Sequence, residues 1–144
     1  MSRFVRPETR TLTLANGDQL IVRARLTAGE LRAMVARTWR TGADGELHRD
    51  RFAVGPETIL AYLLDWNLRD DQGQAVVIRD LSTDELQRVI DSLDPESFQE
   101  IRDAINTHDG AMLAEREAQK KTDGAMPSSP TSLSLVASGG ATNG

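Results

Sequence analysis

The sequence contains no cysteine, which excludes disulfide bonds, thiolate metal sites and cysteine nucleophiles. Aromatic residues make up only 4% of the chain, so a core must be built mainly from Leu, Ile, Val and Met. No apolar run approaches the roughly 18 residues of a membrane span, and the first ten residues lack the apolar centre of a signal peptide. With 39% hydrophobic residues among 144, the composition is that of one globular domain.

The net charge of -5 is distributed unevenly. Residues 1–40 contain eight Arg and three acidic residues, whereas residues 80–110 contain nine acidic residues and two Arg. Two interpretations remain open: solvated faces of opposite sign, or docking surfaces through which copies of the chain form a homo-oligomer or bind a partner. Binding to nucleic acid is disfavoured, because the chain as a whole is acidic and no helix-turn-helix pattern is present. The arginines considered for such a patch are Arg23, Arg25, Arg32, Arg37 and Arg40.

An N-terminal β-hairpin is predicted around Asn16-Gly17. A two-residue loop would place Leu20 on the opposite face of the hairpin from Leu12. A three-residue loop, Ala15 to Gly17, pairs Leu12 with Leu20 and places Gly17 at the left-handed position that this loop requires. The three-residue loop is preferred, because it collects the leucines and Val22 on one face.

The first helix is predicted to start after Thr27, which forms a capping box with Glu30, and to end at Gly42. Its apolar positions recur at a spacing of three and four residues, which predicts one stripe buried in the core. The stripe consists of Leu31, Met34, Val35, Thr38 and Trp39. Residues 41–54 are polar and charged, and are expected to be a loop.

A second helix is predicted from about Pro56, and it should be central because it is apolar on most sides. Its apolar residues are Ile59, Leu60, Tyr62, Leu63, Leu64 and Trp66. The segment from Asp70 to Gly73 is predicted to be a turn, and Ala75 to Ile78 either a strand or an extended connector.

Two more helices follow. Ser82 and Glu85 form a second capping box at the start of the third helix. The fourth follows at once, with Asp94 as its cap and Pro95 at its first position, and it should run to about Gln119. The apolar face of the third helix comprises Leu86, Val89, Ile90 and Leu93.

A row at roughly heptad spacing runs along the fourth helix. Such a row more often packs in a core, but it is also the amphipathic face that could contact a partner. The row comprises Phe98, Ile101, Ile105, His108 and Met112. His108 is expected to be a half-buried packing residue rather than a metal ligand, because the other histidine, His48, is distant in the sequence.

These elements predict an α+β fold that is mainly α-helical, with an N-terminal β-hairpin followed by about four helices. Residues 1–8 are expected to be an N-terminal extension and residues 9–121 a single domain. Residues 122–144 are rich in Ser, Gly, Ala, Thr and Pro, with too little apolar mass to offset chain entropy, and are predicted to form a disordered tail.

No catalytic, cofactor-binding or metal-binding set of residues emerges from the sequence. Asp65, Asn67 and Asp70 are spaced as in a calcium loop, but Asp70 occupies the position that needs Gly, and Val76 the position that needs Glu. The phosphate-binding and serine-nucleophile motifs GxGxxG, GxxxxGK[ST] and GxSxG do not occur. We therefore predict a protein that is not an enzyme and needs no cofactor.

The order of these segments is similar to that of the tail assembly chaperones of long-tailed bacteriophages, especially those of actinobacterial hosts. The resemblance covers about residues 9–121. It rests on the "NGD" hairpin turn, the Asp-Trp segment in LLDWNLRDDQGQAV, the two helices in LSTDELQRVIDSLDPESFQEIRDAINTH, and the charged end EREAQKK.

This resemblance implies a non-enzymatic viral late protein of the host cytoplasm that is absent from the mature virion. Such proteins bind the tape-measure protein, keep its hydrophobic helices from aggregating, and help tail-tube subunits polymerise around it. The family also implies a short form and a longer form that arises by ribosomal frameshifting. The alternatives are a small structural tail or head–tail component and, from another class, a DNA-binding regulator.

The two lysines of the chain are adjacent, Lys120 and Lys121, and every other basic residue is Arg. A slippery A-AAA-AAG heptamer is read in the zero frame as a codon ending in A followed by two lysine codons. Gln119-Lys120-Lys121 can be encoded in this way and is the candidate frameshift site. An alternative reading is a basic helix end, which the negative end of the helix dipole favours.

Overall fold

A computed structural model describes residues 3–124, with side chains described as far as Lys121. Within these residues the strands are β1 (Thr9–Thr13), β2 (Gln19–Arg23), β3 (Trp39–Thr41), β4 (Leu47–Arg49) and β5 (Leu63–Trp66). The helices are α1 (Ala28–Arg37), α2 (Val54–Tyr62), α3 (Thr83–Asp91) and α4 (Pro95–Gly124), with a 3-10 turn at Arg51–Ala53. The predicted class, mainly helical with an N-terminal hairpin and four helices, is confirmed.

The chain divides into two compact units, Met1–Asp109 and Gly110–Gly144. The boundary falls within α4, which continues to Gly124, beyond the predicted end near Gln119. The predicted tail lies outside the described residues except for positions 122–124, which are helical. The division into a 9–121 domain and a tail therefore stays a prediction.

The first hairpin has the predicted three-residue loop. Leu12 pairs with Leu20, the Leu14 amide donates to the Asp18 carbonyl at 2.7 Å, and Gly17 has a φ of 94°. Only glycine adopts that backbone region at little steric cost. The register places Leu12, Leu14, Leu20 and Val22 on one face, and Leu20 and Val22 are fully buried.

The predicted second helix is shorter than expected. It ends at Tyr62, and the next four residues form β5, which pairs antiparallel with β2 and places Trp66 opposite Leu20. The sheet order is therefore β1-β2-β5. The prediction of helix as far as Trp66 was wrong because this segment pairs with the free edge of β2. The local apolar pattern gives no sign of that distant pairing.

One core joins the sheet to α2, α3 and the start of α4. The predicted central position of α2 is confirmed, since four residues of its last turn are buried. The most deeply buried side chains come from β2 and all three helices, and they are Leu20, Val22, Ile59, Ile90, Ile101 and Ile105.

The predicted starts of α3 and α4 are confirmed. The Glu85 amide donates to Ser82 Oγ at 3.2 Å and the Ser82 amide to Glu85 Oε1 at 3.0 Å, which completes the capping box. Asp94 Oδ1 accepts from the Ser97 amide at 2.9 Å, and this bond lowers the pKa of Asp94. Pro95 is the first residue of α4.

The segment after α1 differs from the prediction. The helix ends at Arg37, not Gly42, and the expected loop of residues 41–54 contains β4, the 3-10 turn and the start of α2. β3 and β4 form a second hairpin whose turn repeats the hydrogen bonds of the first: the Gly42 amide donates to the Glu46 carbonyl, and Gly45 has a φ of 80°. The local signal for this hairpin is the Ala-Asx-Gly sequence that both turns share.

A polar network crosses the core between β2, α2 and α4. The Tyr62 hydroxyl donates to the Asp109 carboxylate, and the Tyr62 ring lies edge-on to the His108 ring with centroids 5.8 Å apart. His108 Nε2 is 2.9 Å from the Arg23 carbonyl, and His108 is 6% exposed, so it packs in the core as predicted but is more deeply buried than expected. Burial, together with the neighbouring Asp109, raises the pKa of Tyr62 above its ordinary value of 10.0.

The raised pKa of Tyr62 predicts a loss of stability in alkali. The unfolded chain releases the tyrosine proton near pH 10, whereas the folded chain retains it, so the contribution is complete below about pH 10 and is lost above it. We expect the free energy of unfolding, measured in urea, to fall more steeply between about pH 9.5 and 11.5 in the wild type than in Tyr62→Phe. Tyr62 is the only tyrosine, so parallel profiles would contradict the assignment.

Candidate functional site

The predicted partner-contact row of α4 lies largely inside the protein. Ile101, Ile105 and His108 are buried in the first unit, and Phe98 packs half-buried against the same core. Met112 belongs to the second unit and is half-buried. The buried members of the row therefore serve as core residues and are not accessible to a partner in this conformation.

The candidate frameshift residues Gln119, Lys120 and Lys121 are exposed on α4. Their suggested role concerns the codons rather than the side chains, so it stays a prediction.

The apolar stripe predicted to be buried on α1 faces solvent. Leu31, Val35 and Trp39 are 49%, 40% and 44% exposed, and α1 has no buried residue. Only Met34 and Thr38, at one edge of the stripe, are half-buried and buried respectively. The prediction of a single buried stripe was therefore wrong.

A charged contact accounts for this orientation. Glu57 on α2 is only 3% exposed, and Arg37 on α1 reaches it with an Nε–Oε1 distance of 2.5 Å. At about 100° per residue, Arg37 lies roughly 120–160° around the helix from Leu31 and Val35. Pairing Arg37 with the buried carboxylate therefore directs the stripe away from α2.

The second hairpin extends the exposed apolar area. Trp39 and Thr41 lie on one face of β3, and Leu47, which pairs with Thr41, is 65% exposed on the same face. We use the name apolar surface for the set Leu31, Val35, Trp39 and Leu47.

Basic side chains lie beside the apolar surface. Arg49 pairs across the hairpin with Trp39, and Arg32 lies on α1 next to Leu31. Within the described residues neither arginine belongs to an ion pair. The surface thus combines four exposed apolar side chains with two cations that have no acidic partner in the described fold.

Most of the arginine patch considered for nucleic acid is engaged inside the protein. Arg23 pairs with Glu30 at 2.9 Å and donates to the Ala61 carbonyl at 2.9 Å, and Arg37 pairs with Glu57. Arg40 donates to the carbonyls of residues 37 and 39. These contacts orient the three guanidinium groups toward the chain itself, and the two ion pairs offset part of the positive charge at that surface.

Two negative findings hold for the described part of the chain. No group of three potential metal-ligating side chains occurs there. No helix between residues 3 and 124 is long and apolar enough to cross a membrane.

Comparisons with known proteins found nothing: no protein-family model, curated protein or solved structure matches the chain. The resemblance to phage tail assembly chaperones therefore rests on the sequence features alone.

Proposed function

We propose that this chain is a non-enzymatic tail assembly chaperone of a long-tailed bacteriophage, acting in the cytoplasm of the infected host. Its client is the tape-measure protein, and it supports assembly of the tail tube around that client. The observation that carries the proposal is the apolar surface on α1 and the second hairpin, where Leu31, Val35, Trp39 and Leu47 are each at least 40% exposed.

The apolar surface suits a helical client. Exposed apolar residues that occur singly are ordinary, but a contiguous group rimmed by polar residues is typical of a protein-binding site. A client helix with an apolar stripe would bury both stripes on contact, in the way amphipathic helices bind hydrophobic grooves. Such binding covers the stripe that would otherwise drive client helices to aggregate, which is the action of a holdase.

We expect Val35→Asp to weaken client binding strongly while the protein stays folded. A carboxylate in the middle of the apolar surface would have to be desolvated on contact, so the affinity should fall at least about tenfold. The measurement is the amount of tape-measure protein that remains soluble on co-expression, with the urea midpoint of the purified variant as the test of folding.

The matched control is Ala36→Asp, which adds the same charge to the same helical turn on the side away from the stripe. It should keep the tape-measure protein soluble. Equal loss of solubility in both variants would contradict the proposed surface. Recovery of the chain in fixed stoichiometry from purified virions, detected by mass spectrometry, would favour the alternative of a structural tail or head–tail component.

The proposal includes a longer form made by a -1 frameshift at the codons of Gln119, Lys120 and Lys121, which would be a further partner. The nucleotide sequence tests this part separately. A slippery A-AAA-AAG run followed by an overlapping -1 frame would support it, and AAG-AAG codons without such a run would refute it.

A further inference from the structure

A second surface of the first unit has the opposite charge. A groove of about 480 Å³ lies among the first hairpin loop, the segment after β5 and the junction of α3 and α4. Its floor is apolar and is formed by Leu14, Trp66, Leu68, Val89, Leu93 and Ile101.

The rim of this groove is strongly acidic. One cation, Arg69, lies among five carboxylates, and its Nη1 donates to the Gly73 carbonyl at 2.8 Å rather than to any of them. The five carboxylates are those of Asp18, Asp70, Asp71, Asp94 and Glu100.

Hydrogen bonds to backbone amides hold most of these carboxylates in place without neutralising them. Glu100 Oε2 accepts from the Ala15 amide at 2.8 Å, and Asp70 Oδ1 accepts from two amides of its own turn at 2.9 Å. Asp94 accepts the cap bond of α4, which lowers its pKa and keeps it ionised at neutral pH. None of the five belongs to an ion pair within the described residues.

We propose that this groove binds an apolar protein segment flanked by Lys or Arg side chains. The floor offers burial to apolar side chains, and the rim carboxylates, which have no ion-pair partner within the described residues, can pair with cations on either side of those side chains. The negative charge of the rim repels nucleic acid and acidic protein segments. A bare metal ion would gain nothing from contact with the apolar floor. The groove is separate from the apolar surface, so this inference does not depend on the proposed function.

The test uses the full chain and two fluorescently labelled amphipathic peptides of about 14 residues with the same leucine pattern, one flanked by Lys and the other by Glu. Fluorescence anisotropy gives the Kd of each. We expect the Lys-flanked peptide to bind at least about tenfold more tightly at about 50 mM salt, and this preference to shrink at about 300 mM salt. Equal affinity for the two peptides would overturn the proposal.

Charge reversal locates the binding site. Asp71 is exposed in a turn that lines the groove, and none of the described hydrogen bonds or ion pairs uses its carboxylate. Asp71→Lys should therefore leave the fold intact and weaken binding of the Lys-flanked peptide about five- to tenfold. The matched control is Asp80→Lys, which changes the net charge equally at an exposed loop position that does not line the groove. If both variants weaken binding of the peptide equally, the effect comes from the overall charge of the chain, and the groove is not the binding site.

Two further measurements separate other occupants. Leu68→Ala removes part of the apolar floor and should weaken binding of the Lys-flanked peptide, because apolar contact contributes to binding. Val35→Asp should leave this peptide unaffected, and loss of binding in that variant would place the peptide on the apolar surface instead. Displacement of the peptide by millimolar Ca²⁺ with no effect of Leu68→Ala would indicate a cation site and overturn the proposal.

Discussion

Replacing Ile105 with alanine is expected to lower the free energy of unfolding by about 3–4 kcal/mol. The side chain is fully buried on α4, in the core that α4 shares with the sheet, α2 and α3. Truncation removes buried methyl and methylene groups and leaves a cavity that its neighbours can fill only in part. Urea denaturation of the full chain, followed by circular dichroism and by fluorescence of the buried Trp66, gives the value.

The adjacent exposed residue provides the control for this experiment. Asn106→Ala lies on the same helix and should change stability by less than about 0.5 kcal/mol. The result also decides between the two interpretations of the α4 row. An Ile105→Ala variant with unchanged stability and lost client binding would show that the row is a partner face and would contradict its assignment to the core.

Replacing Arg37 with methionine is expected to lower the free energy of unfolding by about 2–3 kcal/mol. The Glu57 carboxylate would then be almost fully buried without its partner, which costs more than the loss of a surface ion pair. The Arg37 side chain is 38% exposed, so water reaches part of the pair and the effect should stay below that of a fully buried pair. Urea denaturation again measures it.

Two variants make this prediction specific. Arg32→Met removes a charge from the same helix without breaking a described ion pair, and it should be nearly neutral. The double variant Arg37→Met/Glu57→Leu removes both charges and should recover much of the lost stability, since an apolar pair can replace a buried ion pair. If the double variant instead loses as much stability as the two single variants together, the Arg37–Glu57 pair does not set the orientation of α1.

Much of the fold could be predicted because its signals are local. Capping boxes at Thr27 and Ser82, the Asp94-Pro95 start and the Ala-Asn-Gly loop are short patterns whose hydrogen bonds require only neighbouring residues. The register of the first hairpin followed from its loop length and from which leucines share a face.

One error arose where a distant partner decides the structure, and another where a local turn signal lay within a polar segment. β5 is helical by its apolar pattern, and only its pairing with β2 makes it a strand. The second hairpin was missed even though Ala43-Asp44-Gly45 repeats the Ala-Asx-Gly sequence of the first, with Gly45 again in the left-handed region. Polar composition alone is therefore a weak argument for a loop when a turn sequence of this kind lies within it.

The sequence identified the apolar elements of the candidate sites but assigned the wrong environment to one of them. The α1 stripe was expected inside and is exposed, whereas the α4 row, for which core packing was favoured over a partner face, is mostly buried. Periodicity gives the direction of a stripe around a helix, but not what covers it. On α1 the deciding contact is the Arg37–Glu57 pair, which joins residues of two different helices.

The intrinsic fluorescence of Trp39 reports whether a client helix covers the apolar surface. Trp39 is 44% exposed on the apolar surface, whereas Trp66, the only other tryptophan, is already buried. On titration with a helical segment of the tape-measure protein, we expect a saturable shift of emission to shorter wavelength that is absent in Trp39→Phe and in Val35→Asp. Binding of that segment, established by calorimetry, with no change in Trp39 emission would contradict it.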